Sequence, residues 1–208
     1  VNTPKQEGTY RESRRIRSRK AVRCLRCRYS RVVCPCDLFE ATQLQTRTKV
    51  AVVAHYIELM KTTNTSRLAA ACLPNSIVRG RGNPSDRESP PVPEGKRLVL
   101  FPSEHARVLT KGDAADDLIL LVPDGTWGQV HRVVKRDPWF EGAEHVSLPP
   151  HDRYARYQLR MTEKENACST LEAIALALGV LEGPHIEEPL LALFDEFVRR
   201  ALQSREGG

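Results

Sequence analysis

Long apolar runs are missing from this chain. Across its 208 residues no apolar stretch approaches the roughly 20 that a membrane-spanning helix needs, so no membrane association is expected. An apolar h-region is missing too. The first twenty residues are basic and polar, which leads us to expect no secretory signal and a reducing, cytoplasmic setting. Internal repeats are absent, which excludes solenoids and propellers. Acidic residues are scarce at one end: residues 1–36 hold two Glu against eleven Lys and Arg, a net of +9. The remainder holds 24 acidic and 21 basic residues, a net of −3. A concentrated positive segment on a slightly acidic body suits a polyanion, nucleic acid first, or else a solvated tail. Nothing in the pattern signals an obligate protein partner.

What is present is an ordinary mixture, 40% apolar and 28% charged, long enough for one substantial domain and a small accessory module. We divide it into a flexible basic arm (1–22), a cysteine knuckle (23–45) and a catalytic domain (46–208). Lys49–Ala54, Leu98–Phe101, Leu118–Val122 and His145–Leu148 read as strands. Asn64 or Thr65 can cap a helix carrying Leu68 and Ala69–Ala71. A short helix is expected from Ser103, and another after Asp124, where Thr126 and Gln129 have the spacing of a capping box. Ser169 and Glu172 form a second such box. A last helix is expected from near Glu188, with Leu190, Phe194, Phe197 and Ala201 on its core face. Residues 79–97, rich in Gly and Pro, read as a loop-like excursion. Strands alternating with helices predict an α/β fold with a mainly parallel sheet and flanking helices.

Cys24, Cys27, Cys34 and Cys36 lie within thirteen residues, the pattern of a tetrahedral structural Zn²⁺ site. Paired disulfides are disfavoured without a secretory signal. Arg23, Arg26, Arg28 and Arg31 are interleaved, favouring thiolates and offering phosphate contacts. Cys72 and Cys168 read as packed core thiols. Asp124-Gly125-Thr126-Trp127 falls between a strand's carboxyl end and a helix start, where open α/β sheets bind ligands. Turn geometry alone would also account for Asp and Gly there. Lys61–Arg67 gathers hydroxyls, an amide and free N–H groups at a helix start, either an anion site or ordinary capping. Tyr154 and Tyr157 alternate with Arg153 and Arg156, which suits RNA or an amphipathic surface. His55 and His131 read as structural.

Together these blocks resemble the DTW-domain family, the tRNA-uridine aminocarboxypropyltransferases. The resemblance rests on the four-cysteine knuckle, Thr63-Asn64-Thr65-Ser66-Arg67-Leu68, Phe101-Pro102-Ser103 and Asp124-Gly125-Thr126-Trp127. Arg132 and Arg136 with Asp137-Pro138, then Tyr157-Gln158-Leu159-Arg160 and Cys168-Ser169-Thr170-Leu171-Glu172-Ala173, complete the ordered series. Leu171 is a departure, since many bacterial members carry an acidic residue there, so Glu172 is read as a cap. The resemblance implies kinship with knotted SPOUT-type RNA-modifying proteins. It also implies transfer of the 3-amino-3-carboxypropyl group of S-adenosylmethionine to N3 of a tRNA uridine, releasing 5′-methylthioadenosine.

On this reading Asp124 accepts the N3 proton. Asn64, Thr65, Phe101, Pro102, Ser103, Gly125, Thr126, Trp127, Ser169 and Thr170 hold the donor. Arg23, Arg26, Arg28, Arg31, Arg132, Arg136 and Arg160 face the RNA. Trp127 stacks on a base or packs in the core; Arg160 holds the donor's carboxylate or RNA, or makes a surface ion pair. The rivals are a methyltransferase using the same donor and a non-enzymatic zinc-knuckle RNA-binding protein.

Overall fold

The computed structural model describes residues 22–83, 91–150 and 168–206. The arm up to Ala21 and the Tyr154–Arg160 block lie outside the described residues. In chain order the elements are α1 (Cys36–Ala41), β1 (Lys49–His55), α2 (Tyr56–Leu59), α3 (Ser66–Cys72), β2 (Ser76–Arg81) and β3 (Lys96–Leu100). Then follow β4 (Arg107–Val108), β5 (Leu118–Asp124), α4 (Trp127–Arg136), β6 (Glu144–Ser147), α5 (Thr170–Leu181) and α6 (Pro184–Glu206). The sheet order is β2-β1-β5-β3-β6-β4, every pair parallel.

β1 and β5 lie inside this sheet, each flanked by strands on both sides, and their apolar runs are continuous. A strand covered on both faces needs apolar side chains at odd and even positions alike. Val50, Val52 and Ala54 face one layer with Leu98, Leu120 and Val122, packed against α3, α5 and α6. Ala51 and Val53 face the other with Val99, Ile119 and Leu121, against Val130 and Val133 of α4 and against Trp139 and Phe140. The two sets alternate along each strand, as the period of two requires. Glu182, just past α5, accepts from the backbone N–H groups of Arg47 (3.1 Å) and Thr48 (2.8 Å), fixing where β1 begins.

Three sequence expectations change. No helix forms at Ser103. Its N–H turns back to the Phe101 carbonyl, its hydroxyl engages His145, and the chain reaches β4 four residues later. Residues 79–81 belong to β2 and 96–97 to β3 rather than to a loop; β2 is half-buried throughout and carries no apolar run. The last helix starts at Pro184, four residues before Glu188, because Gly183 (φ 117°) breaks the chain and Pro184 suits a first helical position. Of the two caps offered for α3, Asn64 supplies the bond, its Oδ1 accepting from the Arg67 N–H (3.1 Å). Among the described residues no helix is long and apolar enough to cross a membrane.

Because all strands run the same way, their carboxyl ends share one edge. His55, Leu100, Asp124 and Ser147 close β1, β3, β5 and β6 there, with Phe101 just past β3 and Ala54 in register with Asp124.

Candidate active site and metal cluster

The knuckle is a tight loop. Cys24 N–H donates to the Tyr29 carbonyl (2.8 Å) and Arg28 N–H to the Cys24 carbonyl (2.9 Å), with Arg28 itself at φ 64°. This folds the four Sγ atoms to within 4.8 Å of one another. Cys24 and Cys36 are 3.8 Å apart and Cys27 and Cys34 3.6 Å. A tetrahedron with Zn–S bonds of about 2.3 Å has edges of about 3.8 Å, so the donor set fits the ion. Backbone N–H groups of Cys27 and Arg26 bring Cys24 down to about 6, which favours its thiolate. Burial pushes Cys27 and Cys36 upward. Cys72 and Cys168, by contrast, are raised by burial to about 12 and about 11, with the Glu172 charge adding to Cys168. Inert packed thiols behave this way.

At the carboxyl edge three sequence blocks meet on one carboxylate. Asp124 is buried at the end of β5. Its Oδ2 accepts from the Asn64 amide (2.8 Å) and its Oδ1 from the Thr170 hydroxyl (2.7 Å). Asn64 is fixed in turn: Ser66 Oγ donates to its Oδ1 at 2.9 Å, beside the Arg67 N–H, and the Tyr29 hydroxyl donates to its backbone carbonyl. Ser169 accepts from the Glu172 N–H (3.2 Å) while Glu172 accepts from the Ser169 N–H (2.8 Å), so both serve the α5 cap. Thr65 is buried and Thr170 half-buried.

Beside Asp124, Thr126 and Gln129 close their capping box, with Thr126 N–H donating to Gln129 at 2.8 Å. A Cβ on Gly125 would lie 3.1 Å from Gln129 and 3.6 Å from His55, so glycine lets this loop pass close to β1. Trp127, the first residue of α4, is 39% exposed, which removes the core-tryptophan alternative. It forms an aromatic group with Phe101 (centroids 5.6 Å) and His131 (6.3 Å), one helical turn on. Phe101 also meets His131 edge-on at 5.1 Å. Ser103 pairs with His145 Nδ1 (2.8 Å), whose imidazolium is disfavoured by burial and by nearby His105. Pro102 is exposed alongside.

The basic residues separate into two kinds. Arg28, Arg31, Arg132 and Arg136 are exposed. Arg23 donates to the Met60 carbonyl (3.0 Å) and Arg26 pairs with Glu40. Arg160 lies outside the described residues. A groove of about 830 Å³, lined by Arg26, Tyr29, Phe39, Gln43, Leu59 and Arg67 among others, runs beside the knuckle. Asp137 is structural: Arg79 and Arg81 pair with it across to β2, and Arg79 lies over the Trp139 ring at 4.2 Å.

Tyr29 and His145 were not singled out by sequence reasoning, and His131, read as structural, sits against Trp127 and Phe101. His131 had one signal, its four-residue spacing from Trp127. Tyr29 had none beyond its place in the knuckle.

The DTW-domain family model matches residues 21–202. The chain is similar to tRNA-uridine aminocarboxypropyltransferase 2 of Macaca fascicularis, 28% identical over 184 residues, covering 84% of this chain and 61% of that protein. It is 29% identical to the protein of that name in Mus musculus, over 81% of this chain and 59% of the other. For the Drosophila melanogaster protein so named the figure is 25%, over 81% and 70%. The chain thus spans about three fifths of the length of the first two relatives. No solved structure matches it at a significant level.

Proposed function

The chain belongs to the DTW-domain family, and on that footing we propose that it alkylates tRNA: it transfers the 3-amino-3-carboxypropyl group of S-adenosylmethionine to N3 of a uridine, releasing 5′-methylthioadenosine. The names of its relatives support this substrate and this group. One observation carries it: blocks 60 and 46 residues from Asp124 converge on that carboxylate at the sheet edge suited to a ligand. The kinship with SPOUT-type proteins and a cytoplasmic setting belong to the same proposal.

The chemistry follows from the residues. N3 of uridine is a poor nucleophile until its proton leaves. Asp124 takes that proton; each of its oxygens accepts one hydrogen bond and keeps a second lone pair. The freed N3 pair bonds to the carbon attached to sulfur, and the carbon–sulfur bond breaks to leave a neutral thioether. Asn64 and Thr170 aim the carboxylate, while Trp127, backed by the buried Phe101 ring, gives an aromatic surface to adenine or uracil. Gly125 and Thr126 shape the loop under the donor, with Ser103 and Pro102 at its rim. Ser169 starts α5 beneath Thr170, and Thr65 backs the Asn64 turn.

Cys24, Cys27, Cys34 and Cys36 would hold Zn²⁺. Four thiolates leave no open coordination position, so the ion supplies folding free energy rather than chemistry. Arg28, Arg31, Arg132 and Arg136 give exposed phosphate contacts, and Arg26 adds a concave one. We assign Arg160 and the arm to the RNA as well.

Incubation of the protein with unmodified tRNA and the donor, then mass spectrometry of the nucleosides, tests the reading. A uridine gaining the aminocarboxypropyl mass is expected. A gain of methyl would establish the methyltransferase, and no gain a binding protein.

A further inference from the structure

Tyr29 stands two residues beyond Cys27 and is 1% exposed. Its ring meets Phe197 edge-on at 5.3 Å, and the Arg67 guanidinium lies 4.5 Å from its centroid on the face. A phenylalanine would satisfy both contacts. The hydroxyl is what remains to be explained, because a buried phenol needs a partner. That partner is the backbone carbonyl of Asn64. Asn64 is also the residue whose amide donates to Asp124. Tyr29 therefore touches both halves of the molecule. Its own carbonyl holds the Cys24 N–H inside the metal loop, and its hydroxyl holds the turn that aims the carboxylate.

We propose that Tyr29 is a positioning residue for the reaction at Asp124, acting through its hydroxyl bond to the Asn64 carbonyl. This rests on the functional reading above. The physical reason is local. Removing the hydroxyl leaves the Asn64 carbonyl buried without that donor, which the turn relieves by shifting. The Asn64 side chain moves with its backbone, although Ser66 and Arg67 hold its Oδ1. Displacements well under 1 Å at a reacting group already slow chemistry.

The test is Tyr29→Phe. Zinc content stays stoichiometric and donor affinity by calorimetry stays within about threefold, while the single-turnover rate falls about tenfold, the size of one buried hydrogen bond. In an Asp124→Asn background the same change costs less than about twofold, because the positioned group is already gone. Phe197→Leu controls for simple destabilisation: it loosens packing on the same ring, keeps the hydroxyl bond, and leaves the rate per folded molecule unchanged. An equal rate loss in Phe197→Leu, or an undiminished Tyr29→Phe effect in the Asp124→Asn background, overturns the proposal. Amide hydrogen exchange at residues 63–66 and 122–130 separates this idea from the reaction assignment. Faster exchange there in Tyr29→Phe, with wild-type protein that does not alkylate tRNA, upholds the positioning and removes the assignment. Unchanged exchange and unchanged turnover in a protein that does alkylate tRNA remove the positioning alone.

Discussion

Replacing Asp124 by Asn separates the proton-accepting role from the architectural one. The carboxylate accepts from Asn64 Nδ2 at 2.8 Å and from Thr170 Oγ1 at 2.7 Å. An amide there can keep both partners in one orientation. Its oxygen faces the Asn64 amide, which cannot turn because Ser66 and Arg67 occupy its other end. Its nitrogen faces Thr170, whose hydroxyl rotates to accept. Two charge-assisted bonds become neutral ones, a loss of about 1 kcal/mol each. For a domain of this size about 2 kcal/mol lowers the melting midpoint by about 4–8 °C, and the fold survives. Turnover falls much further, about 10²–10⁴-fold, the usual range for a general base. Raising the pH eases the loss, because uridine then ionises without help. Asp124→Ala is the contrast: it strands the buried Asn64 amide and costs about 1–3 kcal/mol for that group on top of the lost base. Single-turnover rates across pH, beside a calorimetric titration of the donor, read all of this. Near-wild-type rates for Asp124→Asn at neutral pH would refute the base assignment. A large fall in donor affinity without pH rescue would make Asp124 a binding residue instead.

Cys27→Ser should abolish zinc in metal analysis and destabilise the knuckle, since structural zinc contributes folding free energy directly; zinc-free wild-type protein prepared without chelator would contradict this. Removing residues 1–20 should weaken tRNA binding and flatten its salt dependence while donor affinity holds, and an unaltered salt slope would count against the arm. Arg200 makes two hydrogen bonds to Asp37 (2.8 and 2.6 Å) and holds its carboxyl down at about 2. A folded value below the ordinary 3.8 means that this contribution is whole above about pH 4 and fades as pH falls toward 2. The stability gap between wild type and Arg200→Gln should therefore narrow between pH 6 and pH 3 in thermal melts. It should not vanish, because Arg200 also binds the Cys34 carbonyl at 3.0 Å. A gap independent of pH would disprove the linkage.

Local chemistry was legible in the sequence. β1 and β5 announce themselves as unbroken apolar runs, since both faces are covered. The two capping boxes, at Thr126 and Ser169, were readable from spacing because a cap is made within four residues. The cysteine knuckle was readable for the same reason. β2 was hidden because an edge strand half-buried along its length needs no hydrophobic pattern. Pro189 obscured the start of α6, which tolerates it near the N-terminus. The bracket around Asp124 was hidden for a deeper reason. Its partners lie 60 and 46 residues away, and each, read alone, looks like an ordinary helix start. Asn64, offered to a ligand by sequence reasoning, has its side chain hydrogen-bonded to Asp124, Ser66 and the Arg67 N–H.

The position of β5 between β1 and β3 carries a consequence for how the chain is made. A ribosome delivers β1, β2 and β3 before β5 exists. The β1–β2 pair can form early, but β3 has no permanent neighbour until residues 118–124 arrive. For that interval two apolar edges face each other across an unfilled slot, the kind of nascent surface that invites mispairing and chaperone attention. Filling it requires long-range parallel pairing, which is slow. The strand that joins these edges ends in Asp124, so a chain halted before it holds a β1–β2 pair, an unpaired β3 and no carboxylate to work with, and the Thr170 that steadies that carboxylate arrives 46 residues later still.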